Sequence, residues 1–564
     1  TSTLLRENDA VNLRERTTGN GGGAMWNVVL SSSVTENGYN IVQCTGVPTL
    51  SLVLRVGDVV NVKQFGATGD GVTDDTLAIQ NSVYATGNYQ NSLRPLYFPF
   101  GEYAISKPIL FYSKDGLVIS GEGKVASVII PTGAMTPVLD AEFTALQALG
   151  YDDYTAVPAC FIFSTVRLTG PANVWGENKS GGQWHNVVSN IGFIGDDTTV
   201  QVVTGIYSPV IAHFKYKELL FKKLLNGIKT EIFWRALISH CDFTYMAGAN
   251  ISHVDSATRD AVGTSLTLEN CGSYATHGGF ALTKCHYSSL INCAVDNWAT
   301  GVVENGTVQT YAYDFNLCKG LQLISCGCED VQTTLTKGIF NIIGDSSTSI
   351  VITGGSYSIL DTPAPAQVSY MNGGHLTFIG ALYKNNVSSV YGSTFHVESG
   401  EVVVSQIAES NVYWTVFSWG ATAKFSGGVE SLNILARQRT AQPFVQGTTY
   451  NIDFGAKDAG QSAFHYDSYD EPTSVFTAPY GGTFAVAVTV RFLNSGVETV
   501  RFYRAGVIYD QENTFNANHT GIQTYVFNSA IAMAKGQTLY ATVQTTAGGT
   551  GNVAFAQMSV SQLS

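Results

Sequence analysis

The sequence of 564 residues contains no apolar stretch of eighteen residues and no basic-then-apolar leader, so it predicts neither a membrane-spanning helix nor a signal peptide. Charge is scarce, at 13% Asp, Glu, Lys and Arg, and no run of Lys or Arg occurs. With a net charge of -13, this excludes nucleic acid as a partner, because phosphate contacts need clustered cations. Metal-type CxxC pairs are missing as well. The nine cysteines are an odd number, and six of them (Cys271, Cys285, Cys293, Cys318, Cys326 and Cys328) crowd together without ligand spacing. They read as buried free thiols, and neither metal nor cofactor is expected. No GxSxG elbow or Ser-His-Asp order suggests an esterase. The chain opens on TSTLLREN without an initiator Met, and an upstream segment is expected.

Glycine and aromatics are plentiful: 58 Gly, 28 Tyr and 29 Phe suit many short strands joined by tight turns. At this length the chain is either multidomain or an elongated repeat whose core grows along one axis. An all-β chain is therefore predicted.

Repetition is visible at a shift of 33 residues, where FALTKCHYSSLINCAVDN (280–297) overlays YDFNLCKGLQLISCGCED (313–330). Cys285 then matches Cys318, Leu290 matches Leu323, and Cys293 matches Cys326, as successive turns of a solenoid require. Taking Cys271, Cys293, Cys326, Gly354, Gly380 and Gln406 as equivalent turn positions gives steps of 22 to 33 residues. Two residues later come Ser273, Val295, Cys328, Ser356, Leu382 and Ala408, small or apolar and so inward. The next residues, Tyr274, Asp296, Glu329, Tyr357, Tyr383 and Glu409, are then an outward ladder.

Upstream, Gly66, Gly69 and Gly71 permit tight turns in NVKQFGATGDGVTDDTLAIQNS, and Thr73 or Asp74 is placed to cap a helix burying Leu77, Ile79 and Val83. A phosphate or calcium loop is disfavoured, because the P-loop Lys-Ser/Thr and the regular acidic spacing of an EF-hand are missing. This segment, followed by LYFPFGEYAI, resembles the opening of the pectate-lyase-like superfamily of right-handed β-helices. The resemblance implies that the helix caps the solenoid and that the aromatic strand is its first rung. From about 455 the pattern changes to alternating strands at hairpin spacing, such as SVFTAPYGGTFAVAVTVRFL and TYVFNSAIAMAKGQTLYATVQTT. This part resembles the jelly-roll trimerisation or carbohydrate-binding modules of phage tail proteins.

The expected fold is thus a right-handed parallel β-helix with a short N-terminal capping helix and a C-terminal jelly-roll-like β-sandwich, assembled as a homotrimer. Residues 1–58 are a connector, 59–424 the catalytic β-helix, 425–454 a linker and 455–564 the sandwich. The order of parts resembles bacteriophage tailspikes that degrade capsule or O-antigen. It implies a virion protein attached to the phage tail or baseplate through its N-terminus, with bacterial surface polysaccharide as partner.

Both glycoside hydrolysis and β-elimination occur in that family, so the residues must choose. Hydrolysis uses two carboxyl groups about 5 to 5.5 Å apart for retention or about 6.5 to 9.5 Å for inversion. Asp296 and Glu329 share a phase on rungs roughly 4.8 Å apart. Glu329 is assigned as acid and Asp296 as base or nucleophile, with Asp314 as an alternative partner and Asp242 and Glu269 as further candidates. Tyr274, Tyr357 and Tyr383 offer flat faces for sugar rings, and Asn297, Asp330 and Glu409 offer polar contacts. A lyase would need a base and a cation, but His277, His286, Lys284 and Arg259 share no phase. The alternatives kept open are β-elimination, a non-catalytic adhesin and a site between chains.

Overall fold

A computed structural model describes residues 5–19, 21–87, 93–111, 114–133, 135, 157–163, 183–199, 202–255, 261–274, 276, 278–296, 311–331, 338–359, 369–385, 395–405, 417–427, 434–437, 442–444, 449–451, 469–470, 475–478, 482–493, 497–504, 506–513, 522–534, 536–545 and 551–562. Its contacts divide the chain into two compact units, Thr1–Asn341 and Ile342–Ser564.

The first unit begins with a small antiparallel sheet of four strands, Ala10–Thr17, Gly21–Leu30, Ile41–Gln43 and Leu50–Leu54. Trp26 is its fully buried centre, with the Arg16 guanidinium 4.8 Å above the ring. The glycine run has a packing reason: a Cβ on Gly22 would stand 2.2 Å from the Lys63 carbonyl oxygen. The expected connector is therefore a folded sheet that meets the chain just before the helix.

Beyond it the chain winds as a parallel β-solenoid. A typical coil runs Thr204–Ala212, Lys215–Lys217, Leu220–Lys222, and the next begins at Asn226. Every strand pairs in parallel with its successor, for example Thr204 with Asn226, Lys215 with Leu237 and Leu220 with Asp242. Single residues turn the corners with φ between 50° and 58°: Asn190, Glu218, His240, Asn270, Asn292 and Ser325 in one column. Left-handed backbone costs a side chain about 1–2 kcal/mol, and here the corner amides of Asn190, Glu218, His240, Asn270 and Asn292 each bond to the next coil, such as His240 N–H to the Glu269 oxygen at 2.9 Å.

Inside, Phe161, Phe193, Phe221 and Phe243 are fully buried on consecutive coils. The last three rings lie nearly parallel at 5.2 Å steps. The cysteine ladder expected at 271, 293 and 326 is present and extends to Cys241; each thiol donates to the carbonyl two residues earlier at 3.4 to 3.6 Å. All nine cysteines are free.

The helix spans Thr76–Ala85 and covers the start of the solenoid with Ala78, Ile79, Ser82 and Val83. Two expectations are corrected. Leu77 is 57% exposed, because it falls on the opposite side of the helix from Ile79 and Val83. The cap position is Asp75 rather than Thr73 or Asp74, although the Asp74 carboxylate does accept the Thr76 amide at 3.0 Å. The acidic loop is occupied by its own chain. Asp70 accepts from the amides of Val72 and Thr73, and Asp75 accepts from those of Thr68 and Gly69. Gly69 has φ 67° and lies against Gly101, where a Cβ would meet the Gly69 oxygen at 2.9 Å. This contact is why GDG and FGEY occur together. At the other end, buried Lys114 donates to the oxygens of Val83, Thr86 and Gly87, placing a cation where helix carbonyls are unpaired.

Burial pushes the Asp75 carboxyl up to about 6, against the two amide bonds that lower it. The folded state thus holds this proton more tightly than the unfolded chain, whose value is about 3.9. The resulting stabilisation is complete below about pH 4 and is lost as pH rises through 6. Asp75→Asn is expected to flatten that part of the plot of denaturation midpoint against pH. An unchanged slope between pH 4 and 6 would assign it to other groups.

The second unit continues with parallel pairing of its own: Ser349–Thr353 with Ser369–Ile379, that strand with Phe395–Ser405, and the latter with Phe417–Gly427. Ser356–Ile359 pairs in parallel with Leu382–Asn385. From 434 onward the pairing is antiparallel, in one sheet centred on Gly482–Leu493 between Ile522–Met533 and Gly551–Gln562, and another centred on Thr538–Thr545. Among the described residues no helix is long and apolar enough to cross a membrane.

Candidate active site

The strands Gly272–Tyr274, Ala294–Asp296 and Gly327–Val331 are consecutive members of one parallel sheet. Their middle residues Ser273, Val295 and Cys328 are buried. Alternation therefore turns the flanking positions outward. Tyr274, Asp296 and Glu329 occupy one column in strict register, Tyr274 opposite Asp296 and Asp296 opposite Glu329. The phase read from the sequence is the observed one on these three rungs.

The column on the other side of the buried residues holds Gly272, Ala294 and Gly327. A Cβ built on Gly272 meets nothing within 4 Å. The small residues leave open space beside the column of Tyr274 and Asp296, and Tyr274 is 44% exposed, with Tyr245 edge-on at 6.0 Å. A flat aromatic face, open space and adjacent carboxylate positions are the chemistry that a sugar ring and its acid-base attack require. The side chains of Glu329, Asp330 and Tyr383 lie outside the described residues, as do Asn297, Glu409, His277 and Arg259 altogether.

Other candidates are dispersed. Asp314 lies on Tyr311–Asn316, in a different sheet, and accepts from Asn341 Nδ2 at 2.8 Å. Asp314 is therefore no neighbour of Asp296 in register: it faces Ala281 in its own sheet, whereas Asp296 pairs with Glu329. Asp242 sits in the same sheet as Asp296, but at the other outward column, 2.6 Å from Lys124 Nζ. Tyr357 is corrected as well. It is fully buried, so it contacts the core and not a sugar. The cause is where the count starts: Gly354 is itself the left-handed corner, its amide bonding to the Ile379 oxygen as that of Asn292 bonds to Ile324, so Gly355 and not Gly354 is the equivalent of Cys293 and Cys326, and Tyr357 falls on the inward position of Val295 and Cys328. Tyr383 pairs with Tyr357 and shares its backbone position.

His286 and Lys319 are direct neighbours across two strands, as the overlay implied. Sequence reading missed the buried pair Tyr207 and Glu231, joined by a 2.8 Å hydrogen bond, because the strand Asn226–Trp234 is covered on both faces and shows no alternation. Among the described residues no group of His, Cys, Asp and Glu is arranged to hold a metal ion.

Residues 59–301, less than half of the chain, match the family described as rhamnogalacturonase A/epimerase, pectate lyase-like. The fold is that of solved phage tailspikes. The tailspike of Acinetobacter phage vb_AbaP_AS12 is 16% identical, with a TM-score of 0.57 over 76% of this chain and 73% of that one. The enzymatically active domain of tailspike protein 2 from bacteriophage CBA120 is 13% identical, with a TM-score of 0.51 over 99% of this chain and 87% of that one. Among curated relatives, a glucan 1,3-beta-glucosidase of Cochliobolus carbonum is 38% identical over 66 residues, and mannuronan C5-epimerase AlgE4 of Azotobacter vinelandii is 39% identical over 74. These segments are 10% and 12% of this chain, and they span only 8% and 13% of the two relatives.

Proposed function

We propose that the protein is a tailspike depolymerase that binds a bacterial surface polysaccharide and cleaves it by endo-glycoside hydrolysis. The observation that carries this reading is the register of Asp296 and Glu329 on neighbouring strands, beside Tyr274 and the open space at Gly272. In-register positions in a sheet are roughly 4.8 Å apart, and rotamers can widen that separation to the range for either retention or inversion. Two close carboxyl groups disfavour joint ionisation, which keeps one protonated as the acid. Glu329, with its longer side chain, is assigned as proton donor and Asp296 as base or nucleophile, with Asn297 and Asp330 as sugar contacts. The tailspike fold and the pectate-lyase-like domain support polysaccharide as the substrate class.

The reading includes a right-handed solenoid, a C-terminal sandwich, a homotrimer and attachment to the phage tail through the N-terminus. A light-scattering mass of three chains is the expected result for the assembly. Catalysis is tested by incubating the protein with capsule or O-antigen from candidate hosts and following polymer mass by size exclusion. Shortened chains with new reducing ends are expected. Products absorbing in the ultraviolet as unsaturated uronates would establish β-elimination, and a polymer that binds but keeps its mass would establish an adhesin.

A further inference from the structure

One corner of the solenoid is unlike the rest of this acidic chain. It is built from the dipeptides Trp184-His185, Ala212-His213, Trp234-Arg235, Thr264-Ser265, His286-Tyr287 and Lys319-Gly320 on six consecutive coils. The second residue of each pair has positive φ, from 49° to 65°. A continuous ladder joins them, with the amides of His185, His213, Arg235, Ser265 and Tyr287 each donating to the coil above at 2.8 to 3.0 Å. At roughly 4.8 Å per coil the column is about 24 Å long. Left-handed corners project their side chains away from the sheets, and Trp234 is 41% and Tyr287 76% exposed. The rings are ordered among themselves: His185 stacks on His213 at 4.6 Å, Trp184 stacks on His213 at 6.0 Å, and His286 meets Tyr287 at 6.3 Å.

Its charge is of one sign. Arg235 and Lys319 lie in the column, Lys215 is exposed beside it, and His185, His213 and His286 add protonatable rings. Among the described residues none of these six forms a salt bridge. Asp115, at the near end, accepts the Trp184 amide at 3.0 Å. The surroundings of the histidines agree. Burial, then His185 and Arg235, lower the pKa of His213; burial, then Lys319, lowers that of His286. No carboxylate acts on either ring. In a chain of net charge -13, an uncompensated cationic and aromatic row is a place for an anion with flat apolar faces.

We infer that this corner is a binding edge for an acidic glycan: Trp184, Trp234 and Tyr287 receive sugar rings, while Arg235 and Lys319 pair with uronate carboxylates and His213 offers a ring N–H. The inference rests on the depolymerase reading and deepens it by naming the substrate class. The edge is separate from the carboxylate column, since a short strand such as Ser289–Ile291 and the corner at Asn292 lie between Tyr287 and the Ala294–Asp296 strand. It would hold the polymer beside the cleavage face and keep the anion away from Asp296 and Glu329.

The test is affinity electrophoresis of the full chain through native gels containing polygalacturonate or, as the neutral reference, dextran. Wild-type protein is expected to be retarded by polygalacturonate and not by dextran, with retardation fading as salt rises. Arg235→Asn and Trp234→Ser should each weaken apparent affinity at least tenfold. Asparagine tolerates the left-handed corner, and Lys223→Gln, at a corner of another column, serves as control and should change nothing. Equal retardation of wild type and both variants, or none beyond that in dextran, overturns the inference. So does loss of self-association in the variants with unchanged retardation, which would make the edge a contact between copies. The two readings fail separately. Retention that depends on Arg235 without shortening of any polysaccharide supports the edge and removes the depolymerase, whereas shortening at equal kcat/KM by wild type and variants removes the edge alone.

Discussion

Asp296→Asn and Glu329→Gln are each expected to lower kcat on a cleavable polysaccharide by at least about 100-fold, the low end of what a positioned acid or base contributes. Folding should be unaffected, because both positions belong to the outward column, and the core of these rungs is made by Ser273, Val295 and Cys328. The losses should not add in the double variant, since acid and base act in one transition state. Tyr274→Ala separates binding from chemistry. The ring is exposed and carries no acid or base, so its removal should raise KM more than it lowers kcat. Near-normal turnover in both carboxylate variants would move the chemistry to another surface.

The repeat was legible where the corner has constant length. From 270 to 329 each coil carries one left-handed residue, one buried cysteine and one outward position before the inward residue, so a fixed offset from Cys271, Cys293 or Cys326 finds the outward column. The same offset fails at Tyr357, because Gly354 holds the corner position of Asn292 and Ser325 and not that of the cysteines, and with period 2 a count begun one residue early exchanges inward for outward. Charge pairs that depend on where a loop reaches were not legible. Lys124 stands far upstream of Asp242, and nothing local in EGKVA announces their 2.6 Å contact. The cationic corner escaped for a related reason. Its members are one per coil, at steps set by loop lengths, and are unlike one another in type, so neither a charge run nor a repeated letter marks them.

Glycines inside strands were read only as marks of turns, and Gly263 shows what that reading lacks. It lies in Val262–Thr264, opposite Phe233 of the neighbouring coil, with no positive φ to explain it. A Cβ there would stand 2.2 Å from two atoms of the Phe233 ring and 2.6 Å from a third. Phe233 is fully buried and packs against His253 at 4.5 Å, so it has no free direction in which to move. Glycine is required because the ring of one coil lies across the backbone of the next. Phe233→Ala is expected to cost about 3–5 kcal/mol through transfer and cavity, and Gly263→Ala about 1–3 kcal/mol through overpacking. The double variant decides the argument. The three nearest atoms to the new methyl all belong to Phe233, so removing the ring also removes the clash, and the methyl then fills part of the void. Its destabilisation should fall below the sum of the two single values by at least about 1 kcal/mol, within the range for residues in direct contact. Denaturant midpoints of the four proteins measure this. Simple additivity would mean that the glycine is there for its backbone freedom and not for the ring.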